Sequence, residues 1–271
     1  MITPDNEVRS PWLYDTPPFE IVPGLYYVGN TAVSAHLFDT GDGLLLLDST
    51  YQQTLYLLLE SIRTLGFNPK DIKWILHSHG HIDHFGGTRI LQEKYGCKAY
   101  LPAADIPLLD ERADLNYCED MELPFQPPYD TWFQVDQAVN DEDLLHFGNI
   151  TVKAIAAPGH TPGTMAYFFD LPCGYRAAMH GGIGWNTLQS QYIINHILDG
   201  SWRQDYLHSL SKLQGLPVDI VLGNHPEQSR TFQKKAEKTA DFNPFIDSGE
   251  WDRMLQELDD GVREFYAKDP L

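Results

Sequence analysis

The sequence predicts an α/β fold, two β-sheets with helices packed over them, and three observations predict it. Short apolar segments of strand length alternate with longer segments whose apolar residues recur at helical spacing. The texture of the first half returns in the second. No linker and no internal repeat of solenoid period divides the 271 residues. Residues 1–18 read as a Pro-rich extension and 19–271 as one domain closed by a C-terminal helix.

In the first half, strands fit at 25–28, 34–39 and 44–47, the last after the turn Gly41-Asp42-Gly43. Ser49 with Gln52 three positions on has the form of a capping box. Behind it Leu55, Leu58, Leu59, Ile62 and Leu65 keep helical spacing until Gly66 stops the helix. A short buried strand at 72–76 runs into a histidine cluster, and a helix at 87–95 and a strand at 98–101 follow. Residues 103–131 hold four prolines and read as loop, with a short helix near 106–112. In the second half, strands fit at 132–138, 150–156, 164–170 and 176–179. An irregular connection passes Trp185 and Tyr192. Trp202, Tyr206, Leu210 and Leu213 share one helical face before a strand at 219–222. Trp251, Met254, Leu255, Leu258, Val262 and Phe265 form the stripe of the last helix.

Composition narrows the function. With 42% apolar residues and 6 Trp, 14 Tyr and 13 Phe, the chain has ample core material. A formal charge of −19 argues against nucleic acid, whose phosphates need clustered Lys and Arg, and against anionic membranes. The expected partner is a small molecule. The start Met-Ile-Thr-Pro-Asp-Asn-Glu lacks the basic and apolar parts of a secretory signal, and no apolar run is long enough to span a bilayer. Cys97, Cys118 and Cys173 have no metal-like spacing and leave an odd one out, so no disulfide framework is expected. A reducing cytoplasm fits best.

The chemistry concentrates in His77-Ser78-His79-Gly80-His81-Ile82-Asp83-His84, four histidines and an aspartate in eight positions. Imidazole and carboxylate suit Zn²⁺ and other divalent transition metals. His77 and His79, two apart, point the same way in an extended chain and would grip one ion. Gly80 then lets the chain turn, and Asp83 and His84 sit where the next helix begins. Five ligand-type residues at a strand–helix junction set aside a merely histidine-rich surface loop.

His-x-His-x-Asp-His resembles the signature of the metallo-β-lactamase superfamily. Pro158-Gly159-His160-Thr161-Pro162-Gly163 resembles the loop that carries its next ligand, and Val221-Leu222-Gly223-Asn224-His225-Pro226 the strand end that carries its last. Motif order agrees over roughly residues 20–230. The resemblance implies a four-layer αββα sandwich with the metals in a groove at one edge. It assigns His77, His79 and His160 to one zinc and Asp83, His84 and His225 to a second, with His81 on the far side of the motif as a non-ligand. Asp48 resembles an aspartate that orients a ligand histidine, as metal-bound imidazoles require; a carboxylate at a helix N-terminus is its other reading.

One departure bears on the substrate. Thioesterases and lactonases of the family carry a metal-bridging aspartate after the strand at 176–179, and the commonest lactamase subclass a cysteine in this region. Here the chain reads His180-Gly181-Gly182-Ile183-Gly184. A second metal held by Asp, His and His alone resembles the third lactamase subclass. His180 is an extra ligand, a partner of a ligand or a substrate contact. Trp132, Trp185 and Tyr192 are candidate walls of the groove, and Asn224 a candidate polar contact.

The expected activity is a binuclear zinc hydrolase in which a metal-bridging hydroxide attacks a carbonyl, β-lactamase-like, with Asp83 orienting the hydroxide and moving its proton. A lactonase or thioesterase of the same fold is the alternative. A non-hydrolytic mono-iron protein, like a sulfur dioxygenase, is the alternative from another class, disfavoured by the complete second ligand set.

Overall fold

In a computed structural model, which describes residues 8–117 and 132–271, the strands fall into two sheets whose order follows the chain. Expectations for Cys118 and for the loop prolines 124, 127 and 128 lie outside the described residues. The first sheet runs β1 (Phe19–Val22), β2 (Leu25–Tyr27), β3 (His36–Asp39), β4 (Leu44–Leu47), β5 (Ile72–Leu76), β6 (Lys98–Pro102), β7 (Gln137–Val139). Its β1–β4 half is an antiparallel meander, and β4 through β7 pair in parallel. Parallel pairing needs crossovers. Helix α1 (Leu55–Thr64) leads from β4 to β5; after β5 come the single turn α2 (Ile82–Phe85) and then α3 (Thr88–Tyr95).

The second sheet holds the antiparallel strands β8 (Leu144–Phe147), β9 (Ile150–Ala156), β10 (Met165–Asp170) and β11 (Arg176–His180), with β12 (Ile220–Leu222) parallel to β11. Between β11 and β12 lie α4 (Ser190–Asn195) and α5 (Trp202–Leu213); α6 (Thr231–Glu237) and α7 (Glu250–Lys268) follow. Among the described residues no helix is long and apolar enough to cross a membrane.

Side-chain alternation decides the layering. Leu45 and Leu47 join a core shared with Val152, Tyr167 and Phe169 of the other sheet, whereas Leu44 and Leu46 join Leu58 and Ile62 under α1. The run of four leucines is therefore buried on both faces, each side chain contributing about 2 kcal/mol of transfer free energy. Phe38 and Phe169 stack across the sandwich at 4.5 Å. Helices α5 and α7 cover the second sheet through Tyr206, Leu210, Trp251 and Leu255. The result is helix, sheet, sheet, helix: an α/β chain with two sheets.

Several expected elements differ. Strands β1 and β8 were not anticipated, and the strand expected at 132–138 shrinks to β7. The helix expected near 106–112 is a 3₁₀ segment, Ala103–Leu109, with Pro107 inside it; an α-helix there would need the N–H that proline lacks. Ser49 and Gln52 form no capping box. The Ser49 hydroxyl instead meets His84 O at 3.2 Å and Thr88 Oγ1 at 2.8 Å, and a 3₁₀ turn, Gln52–Thr54, precedes α1. Neither α4 nor α6 has a long enough apolar stripe to announce itself.

Candidate metal centre

Parallel β4 and β5 end at the same edge of their sheet, where open α/β sheets place their sites. Directly after β4 comes Asp48, held at φ 61° with its N–H donating to Leu76 O. This left-handed conformation is costly for a residue with a Cβ. It lets the Asp48 carboxylate accept from Ser78 N (2.8 Å, Oδ1) and from Ser78 Oγ (2.8 Å, Oδ2), and it meets His84 Nδ1 at 3.0 Å. One aspartate thus ties the chain leaving β5 to the α2 turn that carries Asp83 and His84.

Two other connections reach the same edge. The loop between β9 and β10 presents His160, closed by Ala157 N donating to Thr164 O and Thr161 N to Thr164 Oγ1. From the end of β12 comes His225, whose Nδ1 lies 2.8 Å from Ala32 O.

Two trios result. His79, His81 and His160 form one, and Asp83, His84 and His225 the other, with the ligand-type atoms of each trio within 4.8 Å of one another. His79 Nε2 and His81 Nδ1 are 2.9 Å apart. Asp83 Oδ2 lies 3.2 Å from His84 Nε2 and 3.4 Å from His225 Nε2. The His79 and His84 rings, 4.4 Å between centroids, put the trios side by side.

Four of the five rings are fixed by the nitrogen facing away from the trio. His160 Nδ1 sits 2.9 Å from Gly184 O, His225 Nδ1 on Ala32 O, His84 Nδ1 on Asp48, and His79 Nδ1 3.0 Å from Ser78 Oγ. Because the Ser78 hydroxyl donates to Asp48, it is left to accept from His79. Such partners orient each ring and, where the ring is neutral, select the tautomer whose lone pair points inward.

Electrostatics separate the trios. Burial holds His79 and His81 well below the usual histidine range and lowers His160 to about 4, so these rings are neutral. Burial also pulls His84 down, but Asp83 and Asp48 together outweigh it and push His84 up. Asp83, raised by burial, is held below the carboxylate range by His84 beside it.

The structure places His77 outside both trios. Its Nδ1 lies 2.7 Å from Tyr100 O, its Nε2 2.7 Å from Thr88 Oγ1, and its ring stacks on Phe133. Neither nitrogen has a lone pair directed at the trios, and His81 stands in its place. The two-residue spacing argument holds for His79 and His81, not for His77 and His79, because β5 ends at Leu76 and His77 still faces the protein interior. The signal was available: His-x-His-x-Asp-His as spelled begins at His79.

Three further candidates are also moved. Trp185 stacks on Phe265 of α7 at 5.9 Å, so it belongs to the helix layer and not to a groove wall. Asn224 is buried, its Nδ2 donating to Gly181 O at 2.7 Å, which makes it a brace between the ends of β11 and β12. Trp132 packs toward Phe85. His180 lies outside both trios, with Tyr206 at 6.4 Å between ring centroids and Gly182 N 3.3 Å from its Nδ1. Tyr192 remains beside the site: it stacks on Tyr117 at 5.8 Å, and Tyr117 meets His81 edge-on at 4.8 Å. Missed entirely were Ser78 and Asp105, whose roles depend on contacts between distant segments.

The family model described as the metallo-beta-lactamase superfamily matches residues 28–172. Among solved structures, BJP-1, a subclass B3 metallo-beta-lactamase of Bradyrhizobium japonicum, superposes with a TM-score of 0.82 at 28% identity, covering 97% of this chain and 98% of that one. Among curated proteins, the N-acyl homoserine lactonase AttM of Agrobacterium fabrum is 26% identical over 196 residues, 66% of this chain and 68% of AttM. The hydroxyacylglutathione hydrolase of Pelagibacter ubique is 28% identical over 148 residues, 54% of this chain and 48% of that protein. Fold, paired ligand trios and relatives agree: the chain belongs to the metallo-beta-lactamase superfamily and is a metal-dependent hydrolase.

Proposed function

We propose that this hydrolase works with two zinc ions, His79, His81 and His160 holding one and Asp83, His84 and His225 the other, and that it opens a cyclic amide of the β-lactam type. The donor set fits zinc: five imidazoles and one carboxylate, most rings fixed from behind, with the buried His84 Nε2 facing only the candidate ligand Asp83. Zinc held by three protein ligands supplies a bound water acidic enough to react near pH 7 and a Lewis acid for the carbonyl.

The observation that carries the substrate class is the end of β11. A bridging aspartate there is the mark of the lactonase and thioesterase sites. His180 faces Tyr206 on the helix side, and at 181 a Cβ would lie 2.4 Å from Met165 O and 2.7 Å from Ser78 O. Neither position supports a carboxylate reaching the trios, which supports a second site of Asp83, His84 and His225 alone.

The chain's residues then have distinct tasks. Asp83 is the single carboxylate among the six and is part-exposed, so its oxygens can take the proton of the attacking water and return it to the leaving nitrogen. Tyr117 and Tyr192 form an apolar flank beside His81 against which the substrate ring packs.

Metal analysis with a three-substrate panel tests this reading. A chromogenic cephalosporin, an N-acyl homoserine lactone and an S-acyl glutathione are assayed with the zinc-loaded protein and after chelation. Two zincs per chain and a kcat/KM for the cephalosporin at least tenfold above the others are expected. Preferential turnover of the lactone or thioester overturns the substrate class, and a single bound iron overturns the zinc centre.

A further inference from the structure

Outside the six ligand candidates, one fully buried carboxylate touches both segments that bring His79, His81 and His160 together. Asp105 sits in the 3₁₀ segment Ala103–Leu109 after β6. Its Oδ2 accepts from Gly80 N at 2.7 Å and from Thr161 Oγ1 at 2.7 Å, and its Oδ1 from Gly163 N at 2.6 Å. Gly80 is the residue between His79 and His81, and Thr161 follows His160 directly.

The two glycines are shaped to this contact. A Cβ at 80 would lie 3.0 Å from Asp105 Cβ, and one at 163 would lie 2.7 Å from both Asp105 Cγ and Asp105 N. Neither glycine has a positive φ, so close approach and not backbone freedom calls for glycine at both positions. Gly80 lies in the bend the sequence leads one to expect, and it also makes room for Asp105.

We propose that Asp105 is a positioning residue for the His79, His81 and His160 site, setting the distance between the loop bearing the first two imidazoles and the loop bearing the third. This rests on reading that trio as a zinc site. The other trio has its own ties, Asp48 on His84 and Ala32 O on His225, and Asp105 bonds to neither. Its influence is therefore confined to one of the two sites.

An amide at 105 offers one acceptor oxygen where the carboxylate offers two. With that oxygen between Gly80 N and Thr161 Oγ1, the amide NH₂ is set against Gly163 N–H, donor to donor in a dry place. Removing a support of this kind typically costs about 10–100-fold in metal affinity.

The test titrates zinc and cobalt, in competition with a chelator, into the metal-free full-length protein, Asp105→Asn and Thr161→Val. Wild type should take two equivalents. In Asp105→Asn one site should weaken about 10–100-fold while the other keeps its affinity, and the cobalt absorption bands should fill in sequence where in wild type they overlap. Thr161→Val, which removes a single donor and retains the carboxylate, should shift the same site less, and decides the matter if Asp105→Asn does not fold. Unchanged affinity at both sites, or equal loss at both, overturns the positioning role. A wild-type chain that takes up neither ion overturns the zinc centre and this role with it.

Discussion

His77 and His81 are both buried, and four positions apart in one short segment, but their nitrogens face different surroundings. His77 spends both on Tyr100 O and Thr88 Oγ1, joining β5 to β6 and α3. His81 has Nδ1 turned to His79 and His160. Replacing His77 by Ala should therefore cost stability, about 1–3 kcal/mol for stranding buried partners, and leave zinc stoichiometry unchanged. His81→Ala should lose one equivalent of zinc with little change in the metal-free melting temperature. Plasma emission on dialysed protein beside thermal melts separates the two, and loss of zinc from His77→Ala with retention in His81→Ala would reverse the assignment. Most of the site was legible at this scale because its ligand-bearing motifs are local strings: His79 to His84, the Pro158–Gly163 stretch and Asn224-His225. What was not legible is which nitrogen of each ring is already engaged, since Thr88, Tyr100 and Asp105 approach from other parts of the chain.

At the scale of elements, helix α7 acts on the site through what it packs against. Gly261 faces Trp185 so closely that a Cβ there would lie 2.6 Å from the indole Cη2. Trp185 follows Gly184, whose carbonyl holds His160 Nδ1. Helix propensity alone says Gly261→Ala should stabilise α7 by about 1 kcal/mol. The contact says the reverse, because overpacking a filled interface costs about 1–3 kcal/mol. Gly261→Ala is accordingly expected to lower the melting temperature by several degrees and to weaken zinc binding at the His160 site; a higher melting temperature would show that Trp185 yields freely. The stripe of α7 was plain in the sequence by its helical period, as was β4 by its unbroken run of four leucines. Segments of three or four residues such as β1, β7 and β8 carry no period to read, and they exist because a neighbouring edge offers them hydrogen bonds. The placing of Trp185 failed for the same reason: a tryptophan in a loop has no period to say which layer it joins.

For the molecule as a whole, burial of neutral histidines sets the acid limit. His36, on β3 between the sheets and edge-on to Tyr27, is lowered by burial to about 4, with Asp48 opposing only in part. An unfolded chain binds this proton near pH 6.5 and the folded one near 4. Between those values the unfolded state holds more protons, so stability rises with pH and falls as the solution is acidified through the window. The loss amounts to about 3 kcal/mol for this one ring. His79, His81 and His160, lowered by burial in the same way, act in the same direction, while protonation of carboxylates relieves the repulsion of a chain with net charge −19 and acts in the other. Comparing metal-free wild type with metal-free His36→Phe cancels both of these contributions, since the substitution touches neither. Urea unfolding at pH 7 and pH 4.5 should show the variant losing about 2 kcal/mol less than wild type on acidification. Proton uptake on unfolding near pH 5 should be smaller by about one. Equal losses would mean that His36 is protonated inside the fold, and that the space between the sheets beside β3 holds a charge the burial around it does not prepare for.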